Sequence, residues 1–100
     1  MKLRVELAPD AREQIAELGR WWRKNRPKNR GLFREELRAA IDMLSEHPEA
    51  GPIAEDAGAG VHKLLLPRTQ HHVYYRIDWT GRRVNVLLVW HTAREKPLRL

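Results

Sequence analysis

No cysteine occurs in the 100 residues, so disulfides and thiolate metal sites are excluded and a reducing cytoplasm is the natural setting. Ser45 is the only serine and stands in no nucleophile motif, which removes the commonest route to covalent catalysis. No apolar run approaches the ~18 residues of a membrane span. Met1 to Leu7 alternates polar and apolar residues where an export signal would be continuously apolar, so neither membrane contact nor export is expected. His71 and His72 are adjacent and would point to opposite faces of a strand, and no two histidines fall four apart on a helix. Gly58-Ala59-Gly60 is too short and isolated for a phosphate loop. No metal and no other cofactor is expected.

Charge of one sign is missing in two places. Arg20 to Arg30 holds six cations (Arg20, Arg23, Lys24, Arg26, Lys28 and Arg30) and no acid, whereas Asp42 to Asp56 holds five acids and neither Lys nor Arg. The net charge is +6, and its distribution polarises the surface. Such a field steers a protein toward nucleic acid, ribosome or an acidic partner without choosing among them. Cations at a helix C-terminus also complement the macrodipole, so part of the run has a purely local explanation. Trp21, Arg23, Lys24 and Arg26 make up the candidate partner or nucleic-acid patch. Trp21 sits about 100° around the helix from Trp22.

The chain is long enough for one domain over residues 1–100 with a two-layer core. Leu3, Val5 and Leu7 alternate with Lys2, Arg4 and Glu6, the pattern of a half-buried strand. Pro9 suits a first helical position, and Ala11, Ile15, Leu18 and Trp22 form a stripe that should end before Pro27. A second helix is predicted from about Gly31 to Glu46, with Phe33, Leu37, Ala40, Ile41 and Leu44 inward. Pro48 to Gly60 reads as a loop returning to the sheet.

Three strands close the chain. Val61 to Leu66 is the first; His71 to Trp79 is the second, with Val73, Tyr75, Ile77 and Trp79 toward the helices; Val84 to His91 is the third, apolar on both sides and therefore central. Strict alternation places Leu88 and Trp90 with Val84 and Val86. Trp22, Trp79 and Trp90 are all expected in the core. The fold class is α+β, in the order β-α-α-β-β-β, with an antiparallel sheet and a helical hairpin packed on one face.

Leu7-Ala-Pro-Asp-Ala11, the stop from His47-Pro48 to Gly51, the strand His72-Val-Tyr-Tyr-Arg-Ile77, and Val89-Trp-His-Thr-Ala-Arg-Glu95 occur in that order along nearly the whole chain. The sequence thereby resembles the RelE/ParE superfamily of small bacterial toxins, and Trp90-His91 with Ala93-Arg94 is similar to the ParE branch. The resemblance implies one of two activities on one fold: inhibition of DNA gyrase, or ribosome-dependent cleavage of messenger RNA.

Metal-independent cleavage by a 2′-hydroxyl needs a base, cations around the phosphate and an acid for the leaving oxygen. In the RelE-like ribonucleases these are Lys and Arg on the middle strands with Tyr or His near the C-terminus. Here the usual strand Arg is His72 and one usual Lys is Leu65, leaving His91, Arg94, Arg76, Arg68 and Lys63 as substitutes. The cluster is incomplete, so the expected function is that of a type II toxin-antitoxin toxin, ParE-like, inhibiting gyrase when released from a ParD-like antitoxin. The alternative is a RelE-type endoribonuclease acting on ribosome-bound messenger with His91 as acid or base. The resemblance implies that His91, Arg94, Lys96 and Arg99 contact the target.

Overall fold

The computed structural model describes residues 2–94 and residue 100. Strand β1 (Arg4–Leu7) leads into helix α1 (Pro9–Asn25), a short 3-10 turn (Pro27–Asn29), helix α2 (Leu32–Glu46), a second 3-10 turn (Glu55–Ala57), and strands β2 (His62–Leu66), β3 (His71–Asp78) and β4 (Arg83–His91). The sheet order is β1-β4-β3-β2. β4 is therefore central, as its two apolar sides require. The expected fold stands, with β1 joining β4 in parallel while the other pairs are antiparallel, so the sheet is mixed.

Pro9 opens α1 because a missing N–H costs nothing in the first turn, and Ala8 supplies no side-chain cap. The helix ends at Arg26, whose N–H donates to the Trp22 carbonyl, directly before Pro27. The one serine has a structural use. Leu3 N–H donates to the Ser45 carbonyl at 2.8 Å, and the Ser45 hydroxyl donates back to the Leu3 carbonyl at 2.7 Å, tying the end of α2 to the start of β1.

The main core lies between the helices and the sheet and joins Leu3, Ala11, Phe33, Leu37, Leu44, Leu66, Val73, Tyr75, Val84, Val86 and Val89. Tyr75 also anchors the chain after α2: its hydroxyl donates to the Pro48 carbonyl at 2.7 Å and accepts from Gly51 N–H at 2.9 Å. A Cβ on Gly51 would lie 2.7 Å from that oxygen, so glycine is required there.

A second cluster covers the opposite face of the sheet. Ala54, Ala57 and Val61 pack there against Tyr74 and Leu88, with Leu87, Trp90 and Leu100 alongside. The loop after α2 is thus a lid on the sheet as well as a return path.

Two expectations are corrected. A register shift at Tyr74/Tyr75 pairs Tyr74 with Leu88 but Tyr75 with Val86, so β4 carries one extra residue. The bulge reverses the alternation, and Leu88 and Trp90 lie with the second cluster rather than with Val84 and Val86. Trp79 is 56% exposed. β3 ends at Asp78, whose carboxylate accepts from Gly81 N–H and pairs with Arg83, so Trp79 already belongs to the hairpin turn.

Candidate functional site

The C-terminal half of α1 and the ends of β3 and β4 enclose a groove of about 470 Å³. Its floor is Leu18, Trp22 and Val89, and Gln14, Arg26, His91 and Arg94 are on its walls. The Gln14 side-chain carbonyl accepts from Val89 N–H at 2.9 Å, which fixes α1 against the end of β4.

His71 lies beneath this groove, 2% exposed, in a hydrogen-bonded chain that begins on α2. The Glu36 carboxylate accepts from Arg68 N–H (2.7 Å), Thr69 N–H (2.9 Å) and the Thr69 hydroxyl (2.6 Å). Because the single hydroxyl proton of Thr69 goes to Glu36, its oxygen accepts from His71 Nδ1–H at 3.2 Å. His71 Nε2 is then unprotonated, and it is buried without a hydrogen-bond partner among the described residues. The His71 ring packs 5.2 Å from Phe33 and stands edge-on to His91 at 5.1 Å.

Burial, followed by the neighbouring His91, pulls the pKa of His71 down to about 4 from 6.5. A histidine with a lowered folded-state pKa binds fewer protons than the unfolded chain between the two values. Its contribution is therefore complete above pH 6.5 and is lost as pH falls toward 4. We expect a decline on the order of 3 kcal/mol across that window, measured by urea unfolding at a series of pH values. His71→Asn, which keeps a donor for Thr69 but cannot titrate, should flatten this slope; an unchanged slope would rule out His71 as its source. His72 acts in the same direction, lowered by burial and then by Lys63.

His91 sits at the end of β4 and accepts Ala93 N–H on Nδ1 at 3.0 Å, which leaves the neutral ring with its proton on Nε2. The Arg94 guanidinium lies 4.0 Å from the centre of the Trp90 ring. His91 and Arg94 are thus brought together at the groove. The other candidates are not. Lys63 projects from the opposite sheet face, on the strand that places His62, Leu64 and Leu66 toward the helices. Arg76 is on that opposite face too, donating from Nε to the Ala59 carbonyl at 3.1 Å and from Nη2 to the Leu100 carbonyl at 2.7 Å. Arg68 is in the β2–β3 turn. Lys96 and Arg99 lie outside the described residues.

In the helical patch, Trp21 is 46% exposed, edge-on to Trp22 at 5.7 Å, with the Arg26 guanidinium 5.0 Å from its ring centre. Arg23 and Lys24 occupy the exposed last turn of α1. Sequence reasoning found His91, Arg94 and this patch. It missed Glu36, Thr69 and His71, which come from three separate elements; Thr69 and His71, two apart beside a turn, offered only a faint signal. Among the described residues no helix is long and apolar enough to cross a membrane.

The sequence model of one family, the ParE toxin of the type II toxin-antitoxin system parDE, matches residues 5–96. Comparison with curated protein sequences gives no match. Among solved structures, the chain is similar to a chain of the RelBE2 toxin-antitoxin complex from Mycobacterium tuberculosis (23% identity, 91% of this chain and 99% of that one covered, TM-score 0.67). It is also similar to a chromosomal ParDE system from P. aeruginosa (13%, 90% and 96%, 0.71) and to the isolated E. coli RelE toxin (19%, 94% and 88%, 0.63). At these identities the structural likeness establishes the fold.

Proposed function

Since the chain belongs to the ParE toxin family of type II toxin-antitoxin systems, we propose that it inhibits DNA gyrase when released from its antitoxin. The observation that carries this reading is the dispersal of the groups an RNA-cleaving site needs. Lys63 and Arg76 lie on one face of the sheet and His91 reaches the groove on the other, while both hydrogen-bonded nitrogens of Arg76 are engaged by backbone carbonyls. His72, at the strand position where an arginine is usual, is held below its ordinary pKa and is neutral at pH 7, so it supplies no charge to a phosphate. Inhibition by docking needs a surface and no assembled acid-base set.

The test uses the purified toxin in two assays. We expect gyrase-linked DNA breaks and loss of supercoiling in the first, and no messenger cleavage in a translating extract in the second. Codon-aligned messenger cuts without any effect on gyrase would overturn the reading. The second reading, a ribonuclease, has one specific observation in its favour: His91 and Arg94 meet beside an open groove.

An antitoxin partner accords with the toxin-antitoxin complexes among the similar structures. We propose a ParD-like antitoxin whose segment covers apolar side chains left open here, among them Ile53, Leu65 on the edge strand β2, and Trp79. Co-expression should give a complex that survives dilution into the nanomolar range, about −12 kcal/mol. Dissociation at micromolar concentration would argue against a segment folded over the toxin.

A further inference from the structure

The six cations of residues 20–30 have no ion-pair partner among the described residues, whereas Lys2, Arg4 and Arg83 each have one. The macrodipole of α1 accounts for Arg23 and Lys24 in its last turn. It does not account for Lys28 and Arg30, which lie beyond the helix, nor for an indole left nearly half open to water in the middle of the run. Trp21 is held edge-on by Trp22, which packs against the core, so its exposed ring is a supported platform. Arg26 stands over that ring, and the groove beside it offers the amide and imidazole groups of Gln14 and His91.

We infer that this surface binds single-stranded nucleic acid, with a base stacked on Trp21 and the phosphates following the cations from Arg23 toward Arg30. A nucleotide presents a flat π-face and an anion in fixed proximity, which are the two features the patch answers together. A duplex keeps its base faces inside the stack, so only a single strand uses the indole. Glu17, on the groove wall one helical turn before Trp21, repels phosphate and directs the backbone toward the 3-10 turn. An acidic peptide would neutralise the cations without needing an open ring. The surface is on the helical layer, away from Lys63 and Arg76, and does not depend on whether gyrase or the ribosome is the target.

The test is fluorescence anisotropy of a labelled oligothymidylate of about a dozen nucleotides, within the usual span of such sites, titrated with the purified toxin at several salt concentrations. Binding should be saturable and quench tryptophan emission. Trp21→Ala should weaken it on the order of tenfold with little change in salt slope, and Trp21→Phe should be intermediate. Arg23→Ala and Lys24→Ala should each reduce the slope of log affinity against log salt by roughly 0.7 where a phosphate contact is lost. Circular dichroism and the thermal midpoint should be unchanged in Trp21→Phe, which keeps the comparison valid should the Ala variant fold poorly. Binding indifferent to both Trp21 substitutions would reduce the patch to ion exchange and overturn the inference. Equal affinity and equal quenching with an acidic peptide, or preference for a hairpin duplex, would overturn it as well.

Discussion

Replacing Phe33 by Ala should lower the free energy of unfolding by about 3 to 5 kcal/mol, and Leu44→Ala by about 2 to 5, while Arg38→Ala should change it by less than about 0.5. Both apolar side chains are fully buried, and Arg38 is exposed on the same helix. Phe33 also carries a contact that an aliphatic residue cannot replace, its ring lying against that of His71. Losing it opens space beside the buried Thr69-His71 end of the chain that starts at Glu36, where a cavity adds to the lost transfer energy. Against a total stability of roughly 5 to 15 kcal/mol for a domain of this size, the Phe33 change alone threatens the folded state. Urea unfolding followed by tryptophan emission measures all three. Ile41, only partly buried, should fall between the extremes. Equal effects at Leu44 and Arg38 would mean that α2 does not bury the face assigned to it.

Helix positions were legible because periodicity and proline act locally. Pro9, Pro27 and Pro48 bracket both helices; the stripe Phe33-Leu37-Ala40-Leu44 is buried as its spacing requires, whereas of Ala11-Ile15-Leu18-Trp22 only Ala11 is buried and the other three pack half-buried against the core. Strand existence was equally plain, since five- to nine-residue apolar stretches have few other uses. Strand phase was not. A bulge inserts a residue without leaving any mark in composition, and the single extra position in β4 moved Leu88 and Trp90 to the far side of the sheet. Trp79 failed for a related reason: alternation holds only while the strand lasts, and the Asp78 carboxylate starts the turn one residue earlier.

The candidate site was legible residue by residue but not as an arrangement. His91 and Arg94 are close in the chain and stay close in space, so their association could be read directly. Lys63 and Arg76 are separated from His91 by the thickness of the sheet, a relation set by the parity of each strand and by the β4 bulge. The role of Arg76 was hidden for a different reason. Its partners are the carbonyls of Ala59 and Leu100, and backbone acceptors carry no side-chain signature in a sequence. The pairing of Thr69 with Glu36 was not legible either, because Glu36 is 33 residues away and reaches it only when α2 packs against the β2–β3 turn.

Substitutions at His91 separate the two activities. Its Nδ1 accepts from Ala93 N–H, so the neutral ring offers Nε2–H to the groove as a hydrogen-bond donor; acting as an acid, through the imidazolium, or as a base, through Nε2, would each put a proton on Nδ1 and break that bond. If the protein docks on gyrase, His91→Asn, whose amide oxygen can take over the bond from Ala93, should retain much of the toxicity, and His91→Ala should lose toxicity only in proportion to lost gyrase binding. Neither variant, nor the unmodified protein, should cut messenger. If the protein is a ribonuclease, both substitutions should slow cleavage by ~10² or more while ribosome binding survives, because an acid-base group acts on the transition state and not on the bound ground state. Binding and cleavage measured side by side give the answer: parallel losses assign His91 to docking, whereas a rate that collapses with affinity intact assigns it to chemistry and displaces gyrase inhibition as the preferred function.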